Sequence, residues 1–356
     1  MSERRLDRVL AYVQAHPWAI LPEKLAEIRA ILELHVAGNR LTEEELQARL
    51  NGAAPAPRAA SRTGAIAVVP VFGVLSYRIN MLSEMSGGTS SERLAQTIRK
   101  YAADPEVGTI VLDVDSPGGC VAGIQELWDE IMAARETTKV VAVANALMAS
   151  AAYYLASAAD EIVATPSAFV GAIGVYDIHV DRSKAEEMAG VKTTLIAAGK
   201  YKVEGNPFEA LSDEARAAKQ AQVDEAYDMF IKAVAKGRGV TAGDVRSGFG
   251  EGRVLSAKAA KAEGMVDRVD TLEATLTRLA GRRGAAVTGA VGTGAQDLRA
   301  SADDICEPDE DGECPDGYTL GEDGMCHLSP AAAATTTADL EALDLRRRQL
   351  RLRRHA

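Results

Sequence analysis

Several things are scarce in this sequence, and each shortage excludes something. Aromatic residues make up only 4% of the 356 residues, so a core here must come from small aliphatic side chains and close helix packing. The four cysteines, Cys120, Cys306, Cys314 and Cys326, are no disulfide framework for a chain of this size. No apolar run reaches the roughly eighteen residues that a membrane span needs. Val9 to Leu21 is interrupted by Gln14, His16 and Pro17. It lacks the unbroken apolar centre of a signal peptide, so the expected compartment is the cytoplasm. Positive charge is also short. Forty Lys and Arg against 51 Asp and Glu leave a net charge of −11, which repels polyphosphates and argues against nucleic-acid binding.

What remains is ordinary for a globular protein, with 47% hydrophobic and 26% charged residues. Residues 1–50 read as a helical N-terminal extension, with Leu6, Val9, Leu10 and Val13 on one face and Leu25, Ile28, Ile31 and Leu32 on another. Thr42 with Glu45 resembles a capping box. A Pro/Ala/Gly stretch over 51–63 reads as a linker. From 64 to 280, apolar runs alternate with helical stretches. The strands are expected at 66–72, 109–115, 139–145 and 161–165, and the helices at 90–101, 121–135 and 150–159. That alternation predicts an α/β fold of parallel βαβ units. Residues 281–356 form a low-complexity tail, acidic over 303–323 and then arginine-rich, whose composition predicts disorder.

Chemistry in such sheets sits where strand ends meet helix starts. Ser150 lies at such a junction, where a nucleophile would be exposed to a helix's positive end; the alternative role there is a simple N-cap. A histidine base would have to be His179, which reads as a strand residue continuing from Val170. The other base is a lysine made neutral by burial. Lys200 and Lys202, set among Tyr201, Val203 and Phe208, are the candidates. Ser116-Pro-Gly-Gly ends a strand, and its glycines free backbone N–H groups to face an oxyanion.

Together, Asp113-Val-Asp-Ser-Pro-Gly-Gly, Met148-Ala-Ser-Ala-Ala-Tyr-Tyr, Gly171-Ala-Ile-Gly-Val, Gly199-Lys-Tyr-Lys and the stretch from Arg253 to Asp267 resemble the signal peptide peptidase A (protease IV) family. Its phage branch of head maturation proteases, similar to the lambda minor capsid protein C, fits a chain without an anchor. The resemblance implies a Clp protease/crotonase-like core and a Ser–Lys dyad endopeptidase without metal or cofactor. Carried over by motif, Ser150 is the nucleophile, Lys202 the general base, and Gly119 with Gly118 the oxyanion hole. The implied substrates are scaffold, portal or coat proteins, in host cytoplasm or procapsid, and the implied assembly is a homo-oligomeric ring, with Ala226, Met229, Phe230 and Ala233 as candidate contacts. Two departures stand out. Alanines follow Ser150 where the family often has glycines, and Ala172 replaces a serine that orients the lysine; Thr165 and Ser167 are the nearest hydroxyls. Ala172 keeps alive an inert capsid-assembly protein, and a cytoplasmic peptide-degrading enzyme is a further reading. A crotonase-type acyl-CoA enzyme would need carboxylates that are not placed here. Ala151, Ala152 and Ala168 suggest a pocket for small side chains. Cys120 reads as a core residue. The spacing of Cys306, Cys314, Cys326 and His327 is poor for zinc; a small disulfide or an acidic loop at Asp309, Asp311 and Asp323 is the alternative.

Overall fold

The computed structural model describes residues 13, 16–36, 60–77 and 88–287, with short strands at 305–306, 318–320 and 326–328. The chain divides into two compact units, 1–289 and 290–356. In chain order, the first unit carries β1 (Trp18–Ile20), α1 (Pro22–Val36), β2 (Ser61–Thr63), β3 (Ile66–Phe72), β4 (Leu75–Ser76), β5 (Thr89–Ser90) and α2 (Ser91–Ala102). Then come β6 (Thr109–Ser116), β7 (Gly118–Cys120), α3 (Ile124–Ala134), β8 (Lys139–Ala149), α4 (Ala151–Ala156), β9 (Glu161–Ala164) and β10 (Phe169–Gly171). It closes with α5 (Ser183–Met188), α6 (Asp213–Arg238), α7 (Ala242–Ser247), β11 (Val254–Ser256), α8 (Ala257–Ala262), β12 (Arg268–Val269) and α9 (Leu272–Val287). In the second unit, three antiparallel strands set Cys306 opposite Cys326; Cys314 lies outside the described residues.

The main sheet runs β11-β10-β8-β6-β3-β2, with β9 beside β8. Its pairings are parallel except at the two edges, where β2 and β11 are antiparallel. The interior strands are runs of Val, Ile, Leu and Ala, buried on both faces as parallel sheets require. Pro70 is tolerated inside β3 because the β2 pairing stops at Val68. The small-residue core is realised as expected: Ala142, Ala144, Ala151, Ala152 and Ala156 are fully buried. The few aromatics are used singly. Tyr154 stacks on Phe230 with centroids 4.6 Å apart, and Trp128 donates to the Ser157 hydroxyl at 3.0 Å. Ala226, Phe230 and Ala233 are thus buried within their own chain rather than offered to a neighbour; of that set only Met229 is exposed.

A second, smaller sheet has the order β1-β7-β4-β5. Three departures from the sequence expectation lie in and beside it. The Ser-Pro-Gly-Gly turn leads into a strand, β7, rather than directly into a helix. The N-terminal extension is not wholly helical, since Trp18–Ile20 pairs with β7. The end of the expected linker, Ser61–Thr63, is an edge strand of the main sheet. The α1 face is as read, with Leu25, Ile28, Ile31 and Leu32 buried beside Trp18 and Cys120, whereas Leu6, Val9, Leu10, Thr42 and Glu45 lie outside the described residues.

Glu161, nearly buried at the start of β9, accepts hydrogen bonds from Arg268 at 3.2 Å and Arg278 at 2.7 Å, and pairs with Lys139 at 3.4 Å. Burial opposes its ionisation, but the two guanidinium groups and the ammonium outweigh it and hold the carboxyl below its ordinary value of 4.5. A carboxyl depressed in this way contributes stability above that value and loses it as pH falls through the lower folded value. Glu161→Gln is therefore expected to cost about 2 kcal/mol at neutral pH, with the difference closing below about pH 4.5, as read by denaturant unfolding across pH.

Candidate active site

The bend in β8 builds the site. Residues Val141 to Ala144 pair with β9, whereas Leu147 to Ala149 pair with β10. Between them Ala146 takes a φ of 136°, and the strand runs on past its expected end at Asn145, through Leu147–Ala149, which the sequence offers as a turn, to end against Ser150. Ser150 itself has φ 55° and ψ −120°, a region that non-glycine residues rarely occupy. Its N–H donates to the Gly171 carbonyl at 2.7 Å, and its carbonyl accepts from Tyr154 at 2.9 Å. The residue stands at the N-cap position of α4, but its hydroxyl makes no cap hydrogen bond. Instead Oγ donates to the Gly174 carbonyl at 3.4 Å, a long contact. The capping alternative thus fails: a strained, buried serine aims its oxygen away from the helix it opens. Strain of this kind costs about 1–3 kcal/mol and is characteristic of functional turns.

Glycine at 118 and 119 is a packing requirement. Gly118 has φ 99°, and a Cβ there would stand 2.9 Å from the Ser150 Cβ and 2.2 Å from the Ala19 carbonyl oxygen. A Cβ at Gly119 would fall 1.9 Å from the Leu75 carbonyl oxygen. The turn is pinned by Ser116, whose hydroxyl donates to the Gly73 carbonyl at 2.6 Å and accepts the Gly118 N–H at 3.2 Å. From sequence, Ser116 reads only as part of a turn, and the engagement of its hydroxyl with one of the two expected donors goes unseen. Serine two residues before a glycine is a recognisable local hydrogen-bonding motif that could have signalled it.

The lysines lie elsewhere in character. Lys200 donates to Tyr201 at 2.6 Å and to Glu214 at 3.1 Å. These two bonds raise its pKa and keep it an ammonium, unsuited to act as a base. Lys202 is exposed in the 199–205 turn, its backbone N–H bonded to the Gly199 carbonyl at 3.1 Å. Tyr201 is exposed as well, so the desolvating neighbours expected for Lys202 do not enclose it within this chain. No hydrogen bond joins Lys202 to Ser150 among the described residues. His179 is not on a strand; β10 ends at Gly171, and no hydrogen bond to His179 supports a triad among the described residues. Ala172 is buried with φ 54°, its N–H bonded to the Arg253 carbonyl. Thr165 is buried and Ser167 exposed; neither hydroxyl bonds to Lys202. Ala151, Ala152 and Ala168 are packed into the main core. Cys120 is buried and outside any disulfide.

The electrostatics at the strand ends are modest. Burial, then the nearby Asp113 carboxylate, raise the Asp115 pKa, while the Leu147 N–H opposes them. Burial pushes Tyr176 up to about 12. No group of His, Cys, Asp and Glu side chains able to hold a metal occurs among the described residues.

The sequence model of peptidase family S49 matches residues 133–286. Capsid assembly protease C of Escherichia phage lambda is 36% identical over 264 residues, 70% of this chain and 60% of the lambda protein. The chain thus spans less than two thirds of that relative. A putative protease of Synechocystis, slr0021, is 30% identical over 196 residues, 55% of this chain and 70% of its own length. Among solved structures, a ClpP1 point mutant from Listeria monocytogenes aligns over 59% of this chain and 94% of its own, at 15% identity and a TM-score of 0.36.

Two outcomes follow from the backbone. Ser150→Gly is expected to be more stable than Ser150→Ala by about 1 kcal/mol, because glycine relieves the strained φ that alanine retains. Gly119→Ala is expected to lose about 3 kcal/mol or more, since its methyl group meets backbone rather than a movable side chain. Denaturant titration of the three variants reads both.

Proposed function

The chain belongs to peptidase family S49, and from that membership we propose that it is a serine endopeptidase acting through Ser150 and Lys202. The observation that carries this reading is the geometry of Ser150. It sits on a strained strand-to-helix turn, its hydroxyl is not spent on capping, and it packs against the Gly118 backbone. In the proposed reaction the neutral Lys202 amine takes the Ser150 proton as Oγ attacks the scissile carbonyl. The tetrahedral oxyanion is met by the Gly119 N–H. Gly118 is the weaker donor, because its N–H already faces the Ser116 hydroxyl. The lysine then hands its proton to the leaving amine, and a water activated by the same amine hydrolyses the acyl-enzyme. Loss of one oxyanion donor at such a site costs about 3 kcal/mol in the barrier.

Lys202 needs removal from water to act as a base. It lies in an arm, residues 183–205, that exposes Met188 and Ile196 at 90% and 97%, and Val191, Leu195 and Tyr201 as well. Such a surface favours burial against further copies, so we propose that a homo-oligomer encloses the arm and brings Lys202 to a dry site. Similarity to the lambda capsid assembly protease supports capsid proteins as substrates, within a procapsid or the host cytoplasm. The exposed Lys202, together with Ala172 in place of an orienting serine, favours the alternative of an inert assembly protein.

Co-expression with phage coat and scaffold proteins separates these readings. Intact masses are expected to show trimming by the wild type and whole chains with Ser150→Ala and Lys202→Ala. Identical full-length masses for all three under conditions that assemble procapsids would remove the peptidase reading and leave the assembly protein.

A further inference from the structure

The slot beside Ser150 is already filled by the chain's own residues. Trp18–Ile20 runs antiparallel to Gly118–Cys120, with Ala19 opposite Gly119. On its other edge, Trp18 exchanges both backbone hydrogen bonds with Tyr176, at 2.8 and 3.0 Å. The segment is thus one strand held between β7 and the stretch that follows β10, and it is the outermost strand of the small sheet. Without it, the backbone edge of β7 would stand open beside the nucleophile, in the form that binds extended peptides by strand addition.

The register is informative. Leu21 donates to the Pro117 carbonyl at 3.0 Å, and Val121 donates to the Pro17 carbonyl at 3.4 Å. Hydrogen-bonded pairs recur at every second position of an antiparallel ladder. Ala19 and Gly119, midway between those pairs, are therefore hydrogen-bonded to each other, and the Gly119 N–H is directed at the Ala19 carbonyl. That carbonyl oxygen and the Ser150 Cβ converge on one face of Gly118, at 2.2 and 2.9 Å from the point where its Cβ would be. Ala19 therefore stands where the residue donating the scissile carbonyl would stand. Its neighbours anchor it: Trp18 is fully buried and donates from Nε1 to the Val13 carbonyl at 2.9 Å, and Ile20 packs with Leu25, Ile28 and Leu32 of α1.

We propose that Trp18-Ala19-Ile20 is an internal occupant of the substrate cleft, which keeps the site closed. This rests on the peptidase reading and adds its regulation. Ala19 is only 2% exposed and lies in the main core cluster, whereas Trp18 and Ile20 face the α1 cluster. A side chain larger than alanine at that position would press on the packed core.

The test uses the full chain and two variants, Ala19→Arg, which cannot seat in the slot, and Trp18→Ala, which removes the anchor. Labelling of Ser150 by a fluorophosphonate is expected to speed up on the order of tenfold in both, as the open fraction rises. Calorimetry is expected to detect binding of a synthetic His16–Leu21 peptide to the variants and none to the wild type, and this peptide should slow their labelling. Equal labelling of all three, with Ser150→Ala unlabelled and no peptide bound, would overturn the masking and leave the peptidase reading intact. Peptide binding with no labelling anywhere would leave the occupied cleft and remove the nucleophile. Unfolded variants are recognised by their melting curves, and the wild type then decides through its mass: a chain shortened to Ile20 makes the segment a substrate rather than a mask, whereas an intact one retains the mask.

Discussion

Two missing methyl groups hold the site together. Gly118 and Gly119 let three backbones, those of Ala19, Leu75 and Ala149, and the side chains of Leu75 and Ser150 approach closer than residues with a Cβ would permit. Everything catalytic in the proposed reading depends on that closeness. The oxyanion donor is a backbone N–H whose aim is set by strand pairing. Ser150 is held by backbone contacts to Gly171 and Tyr154. Ser116 then fixes the loop by occupying one N–H and one carbonyl at once. The arrangement is stiff because it is made of main chain.

The bent β8 is the second half of the same device. By leaving β9 for β10 at Ala146, it brings Ser150 to the end of a segment whose Met148 pairs with Ser116 at the end of β6. Three non-glycine residues with positive φ, Ala146, Ser150 and Ala172, lie along this path. A packed alanine core makes the strain bearable, since fully buried small side chains around α4 leave the backbone little room to relax.

Much of this is legible in the residues. The parallel strands announce themselves as runs of branched aliphatic residues, and Ile66–Phe72 reads with its observed limits, Pro70 included. The Ser150 junction is legible because a strand pattern stops where a small-residue helix starts. What stays hidden is long-range. Trp18–Ile20 is three residues long, too short for any periodicity, and its strand character comes wholly from β7 and Tyr176. Leu147 to Ala149 looks like a turn because alanine carries no β preference; its pairing with β10 and Ser116 overrides that. Lys202 reads as apolar in its neighbours, but Tyr201 turns outward, and no local pattern encodes whether a protruding arm is covered.

The placement of the two tryptophans has an optical consequence. The chain has only Trp18 and Trp128, and the fold puts one in each of two hydrophobic clusters. Trp128 lies in the main core, with the Lys236 ammonium 5.3 Å from its ring centroid and its indole N–H on Ser157. Trp18 lies under α1, among Leu25, Ile28 and Leu32, with its indole N–H on the Val13 carbonyl. Intrinsic emission of this chain is therefore a two-channel signal, one indole for the main core and one for the N-terminal strand. Any event that loosens the strand alone shifts half the emitting population to the red and leaves the other half where it was.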